Sequence, residues 1–212
     1  SVGKKQGFSI VQYLGNGINS TQHIPHGLGK KPIAILLKNL DETVNFDMNL
    51  FGSYRAAINS AEANQGNYQT VGLEDTFTVP SNSAIHNKTN ITYIAYCWAE
   101  IEGYSKFGFY KGNGSANGTF VYTGFKPAWG MTKQVDGSNS WFYQDTTRSP
   151  INAMGAGGLR ADSNASRTGA KDCDMLSNGF KWRVATGYGN DSDVEYLYMA
   201  FAQSPFAHNL AD

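Results

Sequence analysis

Tyr93-Ile94-Ala95-Tyr96-Cys97-Trp98-Ala99-Glu100 and Tyr196-Leu197-Tyr198-Met199-Ala200-Phe201-Ala202-Gln203 are two versions of one strand, set 103 residues apart (196 − 93). Both are aromatic-rich, which suits a pleated, half-buried surface. Working back from this pair, earlier blocks match in the same order. Tyr13-Leu14-Gly15-Asn16-Gly17 answers to Tyr110-Lys111-Gly112-Asn113-Gly114 at an offset of 97 (110 − 13). Lys31-Pro32 and the strand 33–38 answer to Lys126-Pro127 and 128–133 at an offset of 95 (127 − 32). Asp41 and Phe46 fall on Asp136 and Trp141 at that same offset, and Phe77 pairs with Phe180. Ordered self-similarity is the signature of a duplicated unit, and small drifts in offset are what loop insertions produce. The chain therefore divides into a leader (1–7), a first unit (8–103), a second unit (104–208) and a tail (209–212). Residues 99–107 run from the last strand of one unit into the first of the next without a Pro/Gly/Ser linker, which implies closely packed units.

Composition points the same way. Charged residues make up 16% of the chain, and 24 glycines supply turns, so many short strands fit better than helices. In the first unit, strands are expected at 7–14, 33–38, 44–51, 76–79 and 92–100. In the second they are expected at 107–111, 120–123, 128–133, 140–144, 179–184 and 195–202. Asn16-Gly17 reads as a tight turn, since a type I′ turn needs positive φ at both central positions. Tyr54 to Asn64 has the Ala and Glu content of a short helix. Residues 61–70 and 155–172 are equivalent stretches of different sequence, and the second reads as an exposed loop. The fold class is all-β: two tandem antiparallel β-sandwich units with jelly-roll or Greek-key connections, a barrel being the alternative.

Function classes narrow by chemistry. Lys+Arg and Asp+Glu are equal at 17 each, so there is no basic surplus for nucleic acid. No apolar run reaches the roughly 18 residues of a membrane span. The first residues, Ser1-Val2-Gly3-Lys4, carry no Met and no signal-peptide core, which reads as a cut or processed end. Cys97 and Cys173 have neither the count nor the spacing of a disulfide framework or metal site. Cys97 is replaced by Ala200 in the second unit, which fits a small buried residue. His23 and His26 flank Ile24-Pro25 and read as polar turn residues; no cofactor or metal is expected. There is no G-x-S-x-G elbow. Asp41/Glu42, Glu74/Asp75 and Glu100/Glu102 read as solvated charge rather than glycosidase pairs, so the chain is expected not to be an enzyme. Trp98, Trp129 and Trp182 read as core. Trp141, aligned with Phe46, reads as core before it reads as surface; as candidate surface aromatics for a ligand, Trp141 and Tyr143 are joined by Arg160, Asp162, Asn164 and Arg167 from the exposed loop, because loops on a rigid scaffold carry specificity.

Several runs resemble a motif in uncharacterised β-rich repeats of bacteriophage virion proteins: 93–108, Tyr110-Lys111-Gly112-Asn113-Gly114-Ser115, 120–128, Leu176-Ser177-Asn178-Gly179-Phe180-Lys181 and 198–206. The likeness covers nearly the whole chain and is weakest over 49–68. It implies a non-catalytic structural or receptor-binding module, placed distally in a tail fibre or spike. The expected partners are other virion proteins and a host-surface glycan or receptor, with no nucleic acid and no membrane insertion. The expected state is a homo-oligomer, in the virion and extracellular on release. A free carbohydrate-binding module or weak glycan hydrolase, and a capsid decoration protein, remain alternatives.

Overall fold

The computed structural model describes the chain apart from residues 19–20, 44–45, 65–69, 81–85, 153–157, 165–171 and 205–212. It divides into two units, Ser1–Glu100 and Ile101–Asp212, close to the joint that the repeat marks. Among the described residues all regular structure is strand.

The first unit contains β1 (Val2–Gly3), β2 (Phe8–Leu14), β3 (Gln22–Pro25), β4 (Ala34–Asn39), β5 (Asp47–Leu50), β6 (Tyr54–Ala57), β7 (Val71–Gly72), β8 (Thr76–Val79) and β9 (Thr92–Trp98). Its larger sheet runs β1-β2-β9-β4-β5-β6 and its smaller one β3-β8-β7. The second unit contains β10 (Ser105–Lys111), β11 (Phe120–Tyr122), β12 (Pro127–Gln134), β13 (Phe142–Asp145), β14 (Leu159–Arg160), β15 (Cys173–Leu176), β16 (Gly179–Trp182) and β17 (Glu195–Ala202). Its sheets run β10-β17-β12-β13-β14 and β11-β16-β15. With β1 set aside, the two topologies are identical strand for strand. Each unit is an antiparallel sandwich, and the duplication read from aromatic blocks is a duplication of fold.

Alternation builds each core. Along β9, Tyr93, Ala95 and Cys97 point inward to meet Phe77 and Val79 of the small sheet. Along β17, Tyr198, Ala200 and Ala202 meet Phe180 and Trp182 in the same way. The opposite face carries Trp98, tilted against Phe8 at 5.2 Å, and Trp129, 5.7 Å from Phe201. Both indoles are only half-buried, so the core assignment holds for Trp182 and fails for these two.

Three local expectations change. Residues 54–57 form β6 rather than a helix, because pairing with β5 outweighs the weak helix preference of Arg-Ala-Ala. Gln22–Pro25 is a strand rather than a turn; Pro25 is tolerated because β3 lies at a sheet edge. Asn16-Gly17 does not close a type I′ hairpin: Gly17 has φ 60°, but Asn16 keeps a negative φ.

Candidate functional site

The Asn-Gly loops form a side-chain clasp instead, built twice. In the first unit the Asn16 backbone N–H donates to Asn87 Oδ1 (3.0 Å), and Asn87 Nδ2 donates to Asn16 Oδ1 (3.0 Å). In the second, Asn113 and Asn190 repeat both bonds at 3.1 and 3.0 Å. Beside each clasp a tyrosine pair stacks, Tyr13 on Tyr93 at 5.1 Å and Tyr110 on Tyr196 at 5.4 Å. The Tyr13 hydroxyl donates to His86 O, and the Tyr110 hydroxyl to Gly189 O, each at 2.8 Å. These equivalences align the units residue by residue and show where they differ chemically.

The largest difference is ionic. In the first unit, Arg55 Nε and His86 Nε2 both donate to Asp47 Oδ2, at 3.0 and 2.7 Å. The Asp47 and His86 side chains are 0% exposed. Sheet register and the clasp place Phe142, Gly158 and Gly189 of the second unit at these three positions, with offsets of 95 (142 − 47), 103 (158 − 55) and 103 (189 − 86). A Cβ on Gly158 would lie 1.9 Å from the Phe142 ring, and one on Gly189 1.8 Å from Trp182. Phe142 stacks on Tyr188 at 5.4 Å and lies 6.0 Å from Trp182. Aromatic rings thus fill the space that a charged cluster fills in the first unit. The sandwich closes with either solution, so the cluster belongs to the first unit and not to the fold.

Burial alone would raise the Asp47 pKa, but the His86 hydrogen bond, the His86 charge and Arg55 outweigh it and hold the carboxyl below its ordinary 3.8. Burial depresses His86 below 6.5, and Asp47 only partly restores it, so the imidazole is neutral at pH 7 and donates through Nε2. Neither side chain meets solvent, so the pair has no access to a substrate. Its consequence is acid sensitivity. A histidine whose folded pKa is depressed takes up its proton preferentially in the unfolded chain. Stability is therefore full above pH 6.5 and falls as pH drops from there toward the folded value, with a second loss below 3.8 from Asp47. The melting temperature of the first unit, followed from pH 8 to 5, is expected to decline over this window; His86→Gln should flatten that decline. An undiminished slope in the variant would refute the assignment.

The sequence-expected site does not assemble as a surface patch. Trp141 is 0% exposed, so of its two readings the core one holds and it leaves the ligand candidates: a large indole gains more from burial than from display. Tyr143 is half-buried, 6.1 Å from Trp129 and 5.6 Å from the Arg148 guanidinium. Arg160 packs on Tyr188, its guanidinium 5.8 Å from the ring, and donates to its hydroxyl at 3.3 Å. Asp162 is half-buried, Asn164 is exposed, and Arg167 lies outside the described residues. The 155–172 loop is described only at 158–164 and at residue 172. The two histidines diverge: His23 is exposed, whereas His26 is buried, accepting from Leu28 N and donating to Leu73 O. No group of His, Cys, Asp and Glu suited to a metal occurs among the described residues. Burial pushes the Cys97 thiol up to about 12 and also raises Cys173, away from reactive thiolates. A cavity of about 10 Å³ beside Gln144, Cys173 and Trp182 has room for a single water at most.

The outward display lies elsewhere. β11 alternates Phe120, 42% exposed, and Tyr122, 64% exposed, around the core residue Val121. Across the small sheet Phe120 faces Lys181, which in turn faces Asp174, and Tyr122 faces Gly179. A side chain at Gly179 would lie 3.0 Å from the Phe120 ring and 2.1 Å from Val121 O, so glycine there lets the ring lie across the strand. Asp174 Oδ2 accepts from Arg183 Nε at 2.5 Å. The same face of the first unit carries His23, Pro25, Thr76, Thr78 and Val71. Strand alternation in Phe120-Val121-Tyr122 is the sequence signal that marks these two rings as exposed.

A family model described as "Domain of unknown function (DUF7483)" matches residues 1–205. The chain belongs to this family. The match spans both sandwiches, so the family is defined on the duplicated pair rather than on one unit. No curated protein and no solved structure matches.

Proposed function

We propose that the chain is a non-catalytic structural and receptor-binding module of a phage particle, in the distal part of a tail fibre or spike, contacting a host-surface glycan or receptor. One observation carries the binding role. Two sandwiches of identical topology display different outer faces, and among the described residues only the second presents exposed aromatic rings beside a cation. Exposed rings that the scaffold does not require are the usual mark of a contact surface. The sealed Asp47–Arg55–His86 cluster supports a structural rather than a catalytic use of buried charge. The phage setting rests on the resemblance of the repeat motifs, and the fibre position and homo-oligomeric state are part of that reading. A free carbohydrate-binding module would use the same aromatic face. Immunogold electron microscopy of phage particles with an antibody to this chain separates the two. Gold at the distal tail is the expected result; gold on the head would favour a decoration protein, and particles without gold would overturn the proposal.

A further inference from the structure

Resting on that reading, we propose that the outer face of β11-β16-β15 is a subsite for an acidic sugar, with Phe120 and Tyr122 stacking on its rings and Lys181 pairing with its carboxylate. Phe120 and Tyr122 stand two residues apart on one strand and on one side of it, about 7 Å apart along its axis. Both are exposed, and Gly179 leaves the Phe120 ring free to lie along the sheet. Sugar rings have apolar C–H faces and polar edges, so flat aromatic rings bordered by hydrogen-bonding groups match both. The rings have no packing duty here, since His23 and Pro25 stand in their place on the same scaffold.

Charge selects the kind of sugar. Two carboxylates lie on this face, Asp172 and Asp174, and both are buried; Asp174 is engaged by Arg183, whose side chain is 43% exposed. Lys181 has no ion-pair partner among the described residues and stands between Phe120 and Asp174. Both carboxylates are buried whereas Lys181 and Arg183 reach solvent, so the charge that a ligand meets beside the rings is positive, complementary to a uronate or a similar carboxylated sugar. In the first unit the position of Lys181 is held by Thr78, an offset of 103 (181 − 78), so neither rings nor cation recur there.

The test uses the full chain, immobilised, with two probes: a hyaluronan tetrasaccharide, which alternates glucuronate with a neutral sugar, and the same tetrasaccharide with its carboxyls reduced to alcohols. The acidic probe should bind about tenfold more tightly, and added salt should erase the difference. Tyr122→Ala and Phe120→Ala should weaken both probes about tenfold, while Lys181→Gln should remove only the preference for the acid. All three side chains face outward, so unchanged melting temperatures are expected. Failure of the wild-type chain to bind either probe, or unchanged binding by the Phe120→Ala/Tyr122→Ala double variant, overturns the subsite. So does loss of self-association, in place of sugar binding, in that variant, which would make the face an interface between copies. Gold at the tail tip without binding of the acidic probe sinks the subsite alone. Binding of that probe by a chain absent from particles sinks the virion reading alone.

Discussion

Replacing Asp47 by alanine is expected to destabilise the first unit by about 3–5 kcal/mol, the range for removing one partner of a buried ion pair. The substitution leaves the Arg55 guanidinium, whose side chain is 4% exposed, facing a cavity where its counter-charge stood. It also takes away the acceptor of the His86 Nε2–H, at a side chain with no exposure to water. Asp47→Asn should be milder, since the amide oxygen still accepts, but it loses the charge that Arg55 requires. The second unit supplies a stronger test. It fills the same positions with Phe142, Gly158 and Gly189, and places Trp182 where the first unit has Val79 (182 − 79 = 103). Transplanting that solution whole, as Asp47→Phe, Arg55→Gly, His86→Gly and Val79→Trp, should recover most of the stability lost in Asp47→Ala. Buried ionic groups replaced by well-packed apolar ones are often neutral or better. Each member alone should be harmful, because a ring without its glycine overpacks and a glycine without its ring leaves a void. Urea unfolding of the full chain measures all of these. An Asp47→Ala variant as stable as the wild type, or a transplant no better than that variant, would remove the cluster from the account of stability.

How far the sequence carries depends on whether a feature occurs twice. The aromatic strands β9 and β17 and the Gly-Asn-Gly loops are legible because each half repeats the other's contacts, down to the tyrosine stack. β6 is not legible: Tyr54-Arg55-Ala56-Ala57 has helix-tolerant composition and becomes a strand only through its pairing with Met48 and its neighbours. The ionic cluster is hidden for a related reason. Asp47, Arg55 and His86 are brought together by the sheets rather than by any fixed spacing, and none has a charged counterpart in the second unit. An aspartate aligned with Phe142 is the faint signal that was there to find. Trp141 stays open between core and surface in the sequence, since neighbouring Tyr143 says nothing of burial, and the structure decides for core. Lys133 shows the same limit. It matches Lys38 in sequence, yet it is buried, with Nζ donating to Gln134 O and Gly137 O, and burial pulls its amine down to about 8.

Asn190→Ala is expected to cost the second unit about 3 kcal/mol, more than Asn87→Ala costs the first, because net hydrogen-bond contributions of about 1 kcal/mol each accumulate on one buried amide. Asn190 is 0% exposed. Its Nδ2 faces three acceptors, Asn113 Oδ1, Ser115 O and Val184 O, at 3.0, 2.9 and 2.7 Å. Its Oδ1 accepts from the backbone N–H groups of Asn113 and Thr119 at 3.1 and 3.4 Å. An amide carries two hydrogens, so three acceptors must share them, and a hydroxyl of similar size has only one hydrogen to give and no separate acceptor atom. Among the described residues the Asn87 side chain holds only Asn16, through one bond in each direction. Asn190→Asp is the sharper probe. The carboxylate keeps the acceptor for Asn113 N but turns an oxygen toward three oxygens, so it should be at least as harmful as alanine despite its matching shape. That order inverts the usual expectation that the isosteric change is the mild one. Thermal unfolding at pH 7 ranks the variants. An Asn190→Asp protein that melts with the wild type would mean that the clasp owes its place to loop geometry, with the amide bonds following from it.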